Sequence, residues 1–303
     1  MTVLLARSPD RIDLPAPVGV RLLDSATRTY VSSDLDIVLA PAAGQAGALS
    51  LTANPSGFWV NQALLGAFRS FSDNRAVWPA QARAYNVSVD DPRGQFLPLR
   101  LSEKLPKSGA LIWQGWPALA PAAYGPLLPP GAAPGTKPPY LPLFPTSAYS
   151  AGPLARVYAH LALRETGGKL TDAAWALMTV SIGGKVAGIG LADARGAIGT
   201  YFPYPLIPSL PAAQAVNGRA QVTWDATIAV FCDGLGEAGN RAVVPDLAAI
   251  LGQLSKPPRK ALKTVAGGQP ALPAQSLTLG RPLVLRSEDA PGQPASSLYL
   301  KSP

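Results

Sequence analysis

Few residues in this chain have the type and spacing to do chemistry, and they do not converge. His160 is the only histidine. A Ser–His–Asp nucleophile or a zinc site needs several such groups in a defined relation, so His160, inside the strand-like run 156–163, reads as a packed or edge histidine. Asp34 with Asp36, and Asp90 with Asp91, are carboxylate pairs of the kind used in glycoside hydrolysis or calcium binding. Neither pair sits in a D-x-[DN]-x-[DN]-G loop. Gly167-Gly168-Lys169 lacks the earlier spaced glycine and the following Ser or Thr of a phosphate loop. Gly188-Ile189-Gly190 lacks the third glycine of a dinucleotide fingerprint. Both read as hairpin turns. No G-x-S-x-G elbow is present. Cys232 is the only cysteine, which excludes an intramolecular disulfide and a CxxC metal site and suits a small buried apolar side chain. The expectation is a chain with no catalytic residue, no cofactor and no metal: not an enzyme.

The elements around these residues are organised by a repeated turn. In residues 189–205 an apolar run reaches Asp193, the backbone reverses at Asp193-Ala194-Arg195-Gly196, and a second run leaves through Ile198, Tyr201 and Phe202. Asp at the first position accepts backbone N–H groups inside a β-turn, and Gly at the fourth takes up the unusual φ. The same device stands at Asn54-Pro55-Ser56-Gly57 and at Asp91-Pro92-Arg93-Gly94. Asp193, Gly196, Asn54 and Gly57 are therefore expected to keep the fold.

Between the turns lie short alternating runs. Residues 33–39 and 82–89 alternate apolar and polar, and residues 18–23, 48–53, 58–60 and 95–101 complete about seven short strands, the signature of a β-sandwich. Residues 174–182, a Gly183-Gly184 hairpin turn, 186–191 and 221–232 repeat that texture. Val244-Pro245-Asp246 opens a helix near 246–255 whose Leu247, Ile250, Leu251 and Leu254 share one face. Residues 276–285 and 297–301 read as a closing pair of strands.

The stretch from Trp116 to Pro153 is different: eleven prolines and few charges. Lacking backbone donors, it can form neither a helix nor a central strand, and an extended polyproline-like strap is expected. Trp113, Trp116, Tyr124, Tyr140 and Phe144 make it too apolar for a free linker, so it should lie on a surface, its own or a neighbour's. These five aromatics are the candidate partner-binding residues. Trp113, Trp116, Tyr124 and Tyr204 would also suit sugar stacking in a carbohydrate-binding module; anchoring of the strap is the preferred reading.

Composition narrows the function classes. Of 303 residues 48% are hydrophobic and only 15% charged, which favours a subunit whose surface is covered by others. The net charge is +8, but the densest basic group, Lys256, Arg259, Lys260 and Lys263, has no accompanying nucleic-acid motif and reads as a solvated segment. The N-terminal residues lack the basic and apolar regions of a signal peptide, and no apolar run approaches the about 18 residues of a membrane span. A cytoplasmic product, assembled into a particle that can be released, is expected.

Residues 20–24 through Asn54-Pro55-Ser56-Gly57-Phe58-Trp59-Val60 resemble the carboxypeptidase-regulatory-like (transthyretin-like) β-sandwich, and residues 174–205, with L-A-D-A-R-G and Y-F-P-Y-P, resemble it again. The ordering of sandwich, D-P-R-G-Q-F-L-P, strap, second sandwich and L-T-L-G-R-P-L-V-L-R-S is similar to proteins encoded in phage-tail-like contractile injection clusters. Asn54 in place of Asp and an insertion over 69–82 depart from the module. The resemblance implies a baseplate or tube/sheath-associated subunit whose partners are other subunits, with no catalytic residue carried over. The resulting expectation is all-β: an N-terminal sandwich (1–115), a proline-rich strap (116–154), and a second sandwich (155–303) with one short helix. The rival is a glycan- or surface-binding module of a tail fibre or adhesin.

Overall fold

The three Asx-x-x-Gly stretches are built alike. At each, the Gly N–H returns to the carbonyl of the Asx residue, at 2.9 Å for Gly57, 3.0 Å for Gly94 and 3.1 Å for Gly196. Each Asx side chain accepts the N–H two residues on: Ser56 at 3.0 Å, Arg93 at 2.8 Å and Arg195 at 2.8 Å. The glycines lie at φ +76°, +67° and +81°, a region closed to most side chains. The computed structural model that shows this describes residues 18–42, 47–61, 82–105, 127, 140–150, 152–165, 167–205, 215–216, 219–220, 222–235, 243–264, 267–270, 274–290 and 292–301. The lead at 1–16, the insertion at 69–81 and most of the proline-rich stretch fall outside the described residues.

Strands dominate, as the alternation requires. In the N-terminal unit an antiparallel sheet runs in the order Leu49–Ser50, Asp36–Pro41, Arg83–Asp90, Leu99–Leu105. Two three-stranded sheets complete it: Gly19–Val20, Trp59–Val60 and Thr52–Ala53, and Leu141–Leu143, Leu22–Asp24 and Tyr30–Val31. Period-two alternation sends Ile37, Leu39, Tyr85, Val87, Val89, Leu99 and Leu101 into the core, each large aliphatic contributing about 1.5–3 kcal/mol.

The second unit is a sandwich of two sheets. One is centred on Leu154–Arg164. Ala197–Pro203 and Leu170–Asp172 pair antiparallel along one flank, and Leu283–Leu285 and Leu298–Lys301 pair parallel along the other. The facing sheet runs Lys185–Leu191, Leu177–Ile182, Thr223–Phe231, Gln275–Thr278. Val157, Leu161, Met178, Val180, Ile198, Phe202, Val230, Leu277 and Leu298 fill the space between. The expected closing strands thus do not pair with each other. Gln275–Thr278 belongs to one sheet, while Leu283–Leu285 and Leu298–Lys301 lie end to end along the central strand of the other.

Two glycines read from sequence as a turn have another role. Gly188 and Gly190 lie inside the strand Lys185–Leu191. A Cβ on Gly190 would stand 2.2 Å from Thr200 Oγ1, and one on Gly188 2.5 Å from the Phe202 ring. They let that strand pass close over Ala197–Pro203, where the chain crosses from one layer to the next. Gly183-Gly184 does form the hairpin turn, at φ +58° and +76°.

The sheet holding Leu177–Ile182 is covered on both faces. Met178 and Val180 enter the sandwich core; Leu177, Ile189 and Leu191 enter the same cluster as the N-terminal unit, the strap residues Leu127, Tyr140 and Phe144, and the helix residues Leu247, Ile250 and Leu251. Two cores therefore share one sheet. Trp175 makes the switch. It stands at φ +61°, costly for a bulky side chain, and this lets its indole enter the first core while Ala176 faces the second. The strand accordingly begins at Leu177, later than the alternation from residue 174 implied. The single short helix, Leu247–Gly252 followed by a 3-10 turn at Gln253–Ser255, is too short to persist alone. It is held by its buried face and by Asp246, whose Oδ1 accepts Ala248 N–H (2.8 Å) and whose Oδ2 accepts Ser102 N–H on the edge strand Leu99–Leu105 (3.0 Å).

Candidate docking surface

Of the five aromatics assigned to partner contact, Trp113, Trp116 and Tyr124 lie outside the described residues. Tyr140 and Phe144 do not face outward, and that part of the expectation is corrected. Leu141–Leu143 pairs parallel with Leu22–Asp24 at the edge of a sheet, an edge being where a strand containing Pro142 fits. This turns Tyr140 and Phe144, 2% and 1% exposed, into the chain's own core. Burial pushes the Tyr140 hydroxyl well above the ordinary phenol range.

The end of the strap is mortar between the two units. Leu97 and Thr146 donate their N–H groups to Phe144 O and Gln95 O (2.8 Å each). Tyr149 donates its hydroxyl to Asp24 Oδ2 at 2.5 Å, and Tyr201 from the second unit donates to the carbonyls of Thr146 (2.9 Å) and Ser147 (3.0 Å). Phe96, Tyr149, Tyr201 and Tyr158 form a continuous run of rings, with centroids 5.6, 5.1 and 5.8 Å apart. Burial, then the Asp24 carboxylate, raise the Tyr149 hydroxyl; burial, then Tyr158, raise that of Tyr201.

The polar groups with chemical potential are likewise taken up structurally. His160 has company the sequence did not reveal: Ser297 Oγ lies 3.0 Å from Nδ1 and Asp172 Oδ1 3.9 Å from Nε2. The second distance is too long for a hydrogen bond; Ser297, just before the strand Leu298–Lys301, is buried, while the His160 and Asp172 side chains are partly exposed. Asp36 and Asp90 stand opposite each other in register, Asp34 pairs with Arg93 at 2.9 Å, and Asp91 is spent on its turn, accepting Gln95 and Phe96 N–H groups (2.6 and 2.8 Å). Cys232 is buried. Among the described residues no group of three or more His, Cys, Asp or Glu could hold a metal, and no helix is long and apolar enough to cross a membrane.

The surface also presents a few exposed apolar and aromatic side chains. Leu279 and Val284 are 42% and 47% exposed on the segment that passes between the two sheets. Beside Leu279, the Gly280 N–H donates to the Tyr204 hydroxyl (2.8 Å), and the Tyr204 ring stacks on Trp224 at 5.5 Å and 29°. On the N-terminal unit Arg21 lies over Tyr30 at 3.5 Å and near Phe58 at 4.9 Å, an aromatic–Arg grouping of the sort that anchors protein contacts. Sequence reasoning missed Arg21, Tyr30 and Val284, because cation–π stacking and exposure depend on register between distant strands.

The fold defines a β-sandwich protein. No family model and no curated protein matches the sequence. Among solved structures the chain is similar to the Bacillus anthracis TIE protein, at 10% identity over 88% of this chain and 32% of that one, with a TM-score of 0.21. The chain spans about a third of that protein's length, and a likeness of that TM-score defines neither the fold nor the function of this chain.

Proposed function

We propose that this chain is a non-enzymatic structural subunit that acts by docking to other proteins, and that its setting is a contractile, phage-tail-like particle, at the baseplate or beside the tube and sheath. The observation that carries the docking reading is the shared sheet. Two cores with one common layer, cemented by the Phe96–Tyr149–Tyr201–Tyr158 rings, make a single stiff block. Its polar side chains serve turns and caps, while Leu279, Val284 and the Arg21 stack are left facing out. A stiff block loses little conformational entropy on association, which suits an assembly part. The particle setting rests on the resemblance in module order. The test is co-purification of the full chain with tube, sheath or spike proteins at fixed stoichiometry.

A second reading, a glycan-binding module, draws on the Tyr204–Trp224 stack, since flat aromatic faces suit sugar rings. Glycan-array binding lost in Trp224→Ala, or in Trp113→Ala and Trp116→Ala, would favour it over assembly.

A further inference from the structure

Two strands and the segment leading into a third, Leu262–Thr264, each bring one cation to a single lateral row. Arg164, ending the central strand, is in register with Lys301 of the parallel strand Leu298–Lys301. The Ala261–Leu300 bridge, with Lys301 N–H donated to Lys260 O at 2.8 Å, sets Lys260 opposite Lys301. Residues opposite one another in register share a face, so the three side chains stand about 4.8 Å apart from strand to strand. The next row back on the same face confirms the geometry: Ala162, Tyr299 and Leu262 meet with Ala295 in a small buried cluster.

Four of the neighbouring acids have other contacts, while Glu165 follows Arg164 directly in the chain. Glu288 faces Lys263 at 3.8 Å, Asp289 accepts the Tyr299 hydroxyl at 2.6 Å, Asp172 faces His160, and Asp233 is held by Lys256 and Arg259. Among the described residues no acid pairs with Arg164, Lys260 or Lys301, and Arg164 Nε is buried without a hydrogen-bond partner. Like charges directly opposite across strands repel, a strain that a bound anion would relieve. The fourth position of the row, Leu170 in register with Arg164, is an exposed leucine.

We propose that Arg164, Lys301 and Lys260 form a docking row for an acidic protein partner, one that lays carboxylates from an extended segment or from adjacent strands along them. Carboxylates on neighbouring strands repeat at the same about 4.8 Å spacing, and alternate ones along a single extended segment at about 6.6–6.8 Å, a difference that the long Arg and Lys side chains take up by splaying. The apolar end at Leu170 fits a polypeptide, and no aromatic ring stands in the row to stack a base, as single-stranded nucleic acid would need. This inference deepens the docking reading and rests on it.

The test uses the full chain, a labelled peptide of alternating Glu and Val, and an oligothymidylate of equal charge. The peptide binds the wild type, more weakly as salt rises, and Lys260→Glu with Lys301→Glu weakens it at least about tenfold. A charge-matched control, Lys104→Glu with Lys185→Glu, binds like the wild type. Equal loss in the control, no binding by the wild type, or tighter binding of the oligothymidylate with loss in the row variant overturns the proposal. Incorporation into particles separates the two ideas. If the wild type and the row variant both incorporate, the row is refuted and docking stands. If the wild type does not incorporate, the docking reading falls, while peptide binding still decides the row.

Discussion

Gln253 donates its side-chain amide to the main-chain carbonyl of Trp175 at 2.9 Å, across 78 residues. The same amide reaches Ile250 O (3.1 Å), and its Oε1 accepts Asp233 N–H (2.9 Å). One buried side chain thus joins the helix, the segment just past the strand Thr223–Phe231 and the strained residue at which the chain passes from one core to the other. Replacing Gln253 with Leu leaves Trp175 O and Asp233 N–H buried without that partner. The expected loss is about 2–4 kcal/mol, read as a lower urea midpoint in one cooperative transition.

Trp175 itself permits a sharper test, because its φ of +61° separates backbone from side chain. Trp175→Ala and Trp175→Gly both remove the indole, but only glycine accepts that φ without strain. The glycine variant should be the more stable by about 1 kcal/mol, the reverse of the usual order. Equal stabilities, or a more stable alanine variant, would show that the left-handed conformation is not held in solution.

The turn glycines should differ in kind. A Cβ on Gly94 meets nothing within 4 Å, whereas one on Gly196 would stand 2.4 Å from Leu161 O. Gly196 sits where the two antiparallel partners of the central strand meet end to end, Leu161 donating to Gly196 O and accepting from Ala173 N–H. Gly94→Ala should cost about 1 kcal/mol and Gly196→Ala at least about 2 kcal/mol more, measured by denaturant titration.

These turns were legible in the sequence because their chemistry is local: an Asx acceptor and a glycine three residues on suffice. The helix was legible for the same reason, from Asp246 and the spacing of Leu247, Ile250 and Leu251. The shared sheet was not. In the run from residue 174 one alternating set is apolar throughout, but the other passes from Trp175 and Leu177 to Thr179 and Ser181, so the pattern says neither that both faces are covered nor by what. Nor could local pattern show that Leu283–Leu285 and Leu298–Lys301 pair parallel with a strand more than a hundred residues earlier, or that Tyr140 and Phe144 are core. The company of His160 was hidden likewise, since Ser297 reaches it only through that parallel register.

Alkaline pH should loosen the molecule. Tyr140, Tyr149 and Tyr201 are shifted upward by burial, and Tyr299 is pushed up to about 12 by burial and by the Asp289 carboxylate that its hydroxyl bonds. A phenol whose pKa is higher folded than unfolded adds stability that is full below the unfolded value, near 10, and is lost as pH climbs toward the folded value. Urea midpoints should therefore hold from pH 8 to about 9.5 and fall steeply through pH 10–11.5, less steeply in Tyr149→Phe with Tyr201→Phe. A flat profile would contradict the burial of these hydroxyls.

Tyr140 and Phe144 should behave as core residues: Phe144→Ala is expected to cost about 3–5 kcal/mol, with any loss of partner binding secondary to unfolding. Leu279→Asp with Val284→Asp should leave the melting temperature within about 2 °C of the wild type, since both side chains already meet water.

The most direct measurement is sedimentation of particles from the native host carrying tagged chain, with the subunits quantified by mass spectrometry. The account predicts that the wild type travels with the large assembly at a constant ratio to its other subunits and that Leu279→Asp with Val284→Asp remains folded but in the slow fraction. A wild-type chain found only as a free monomer would contradict it.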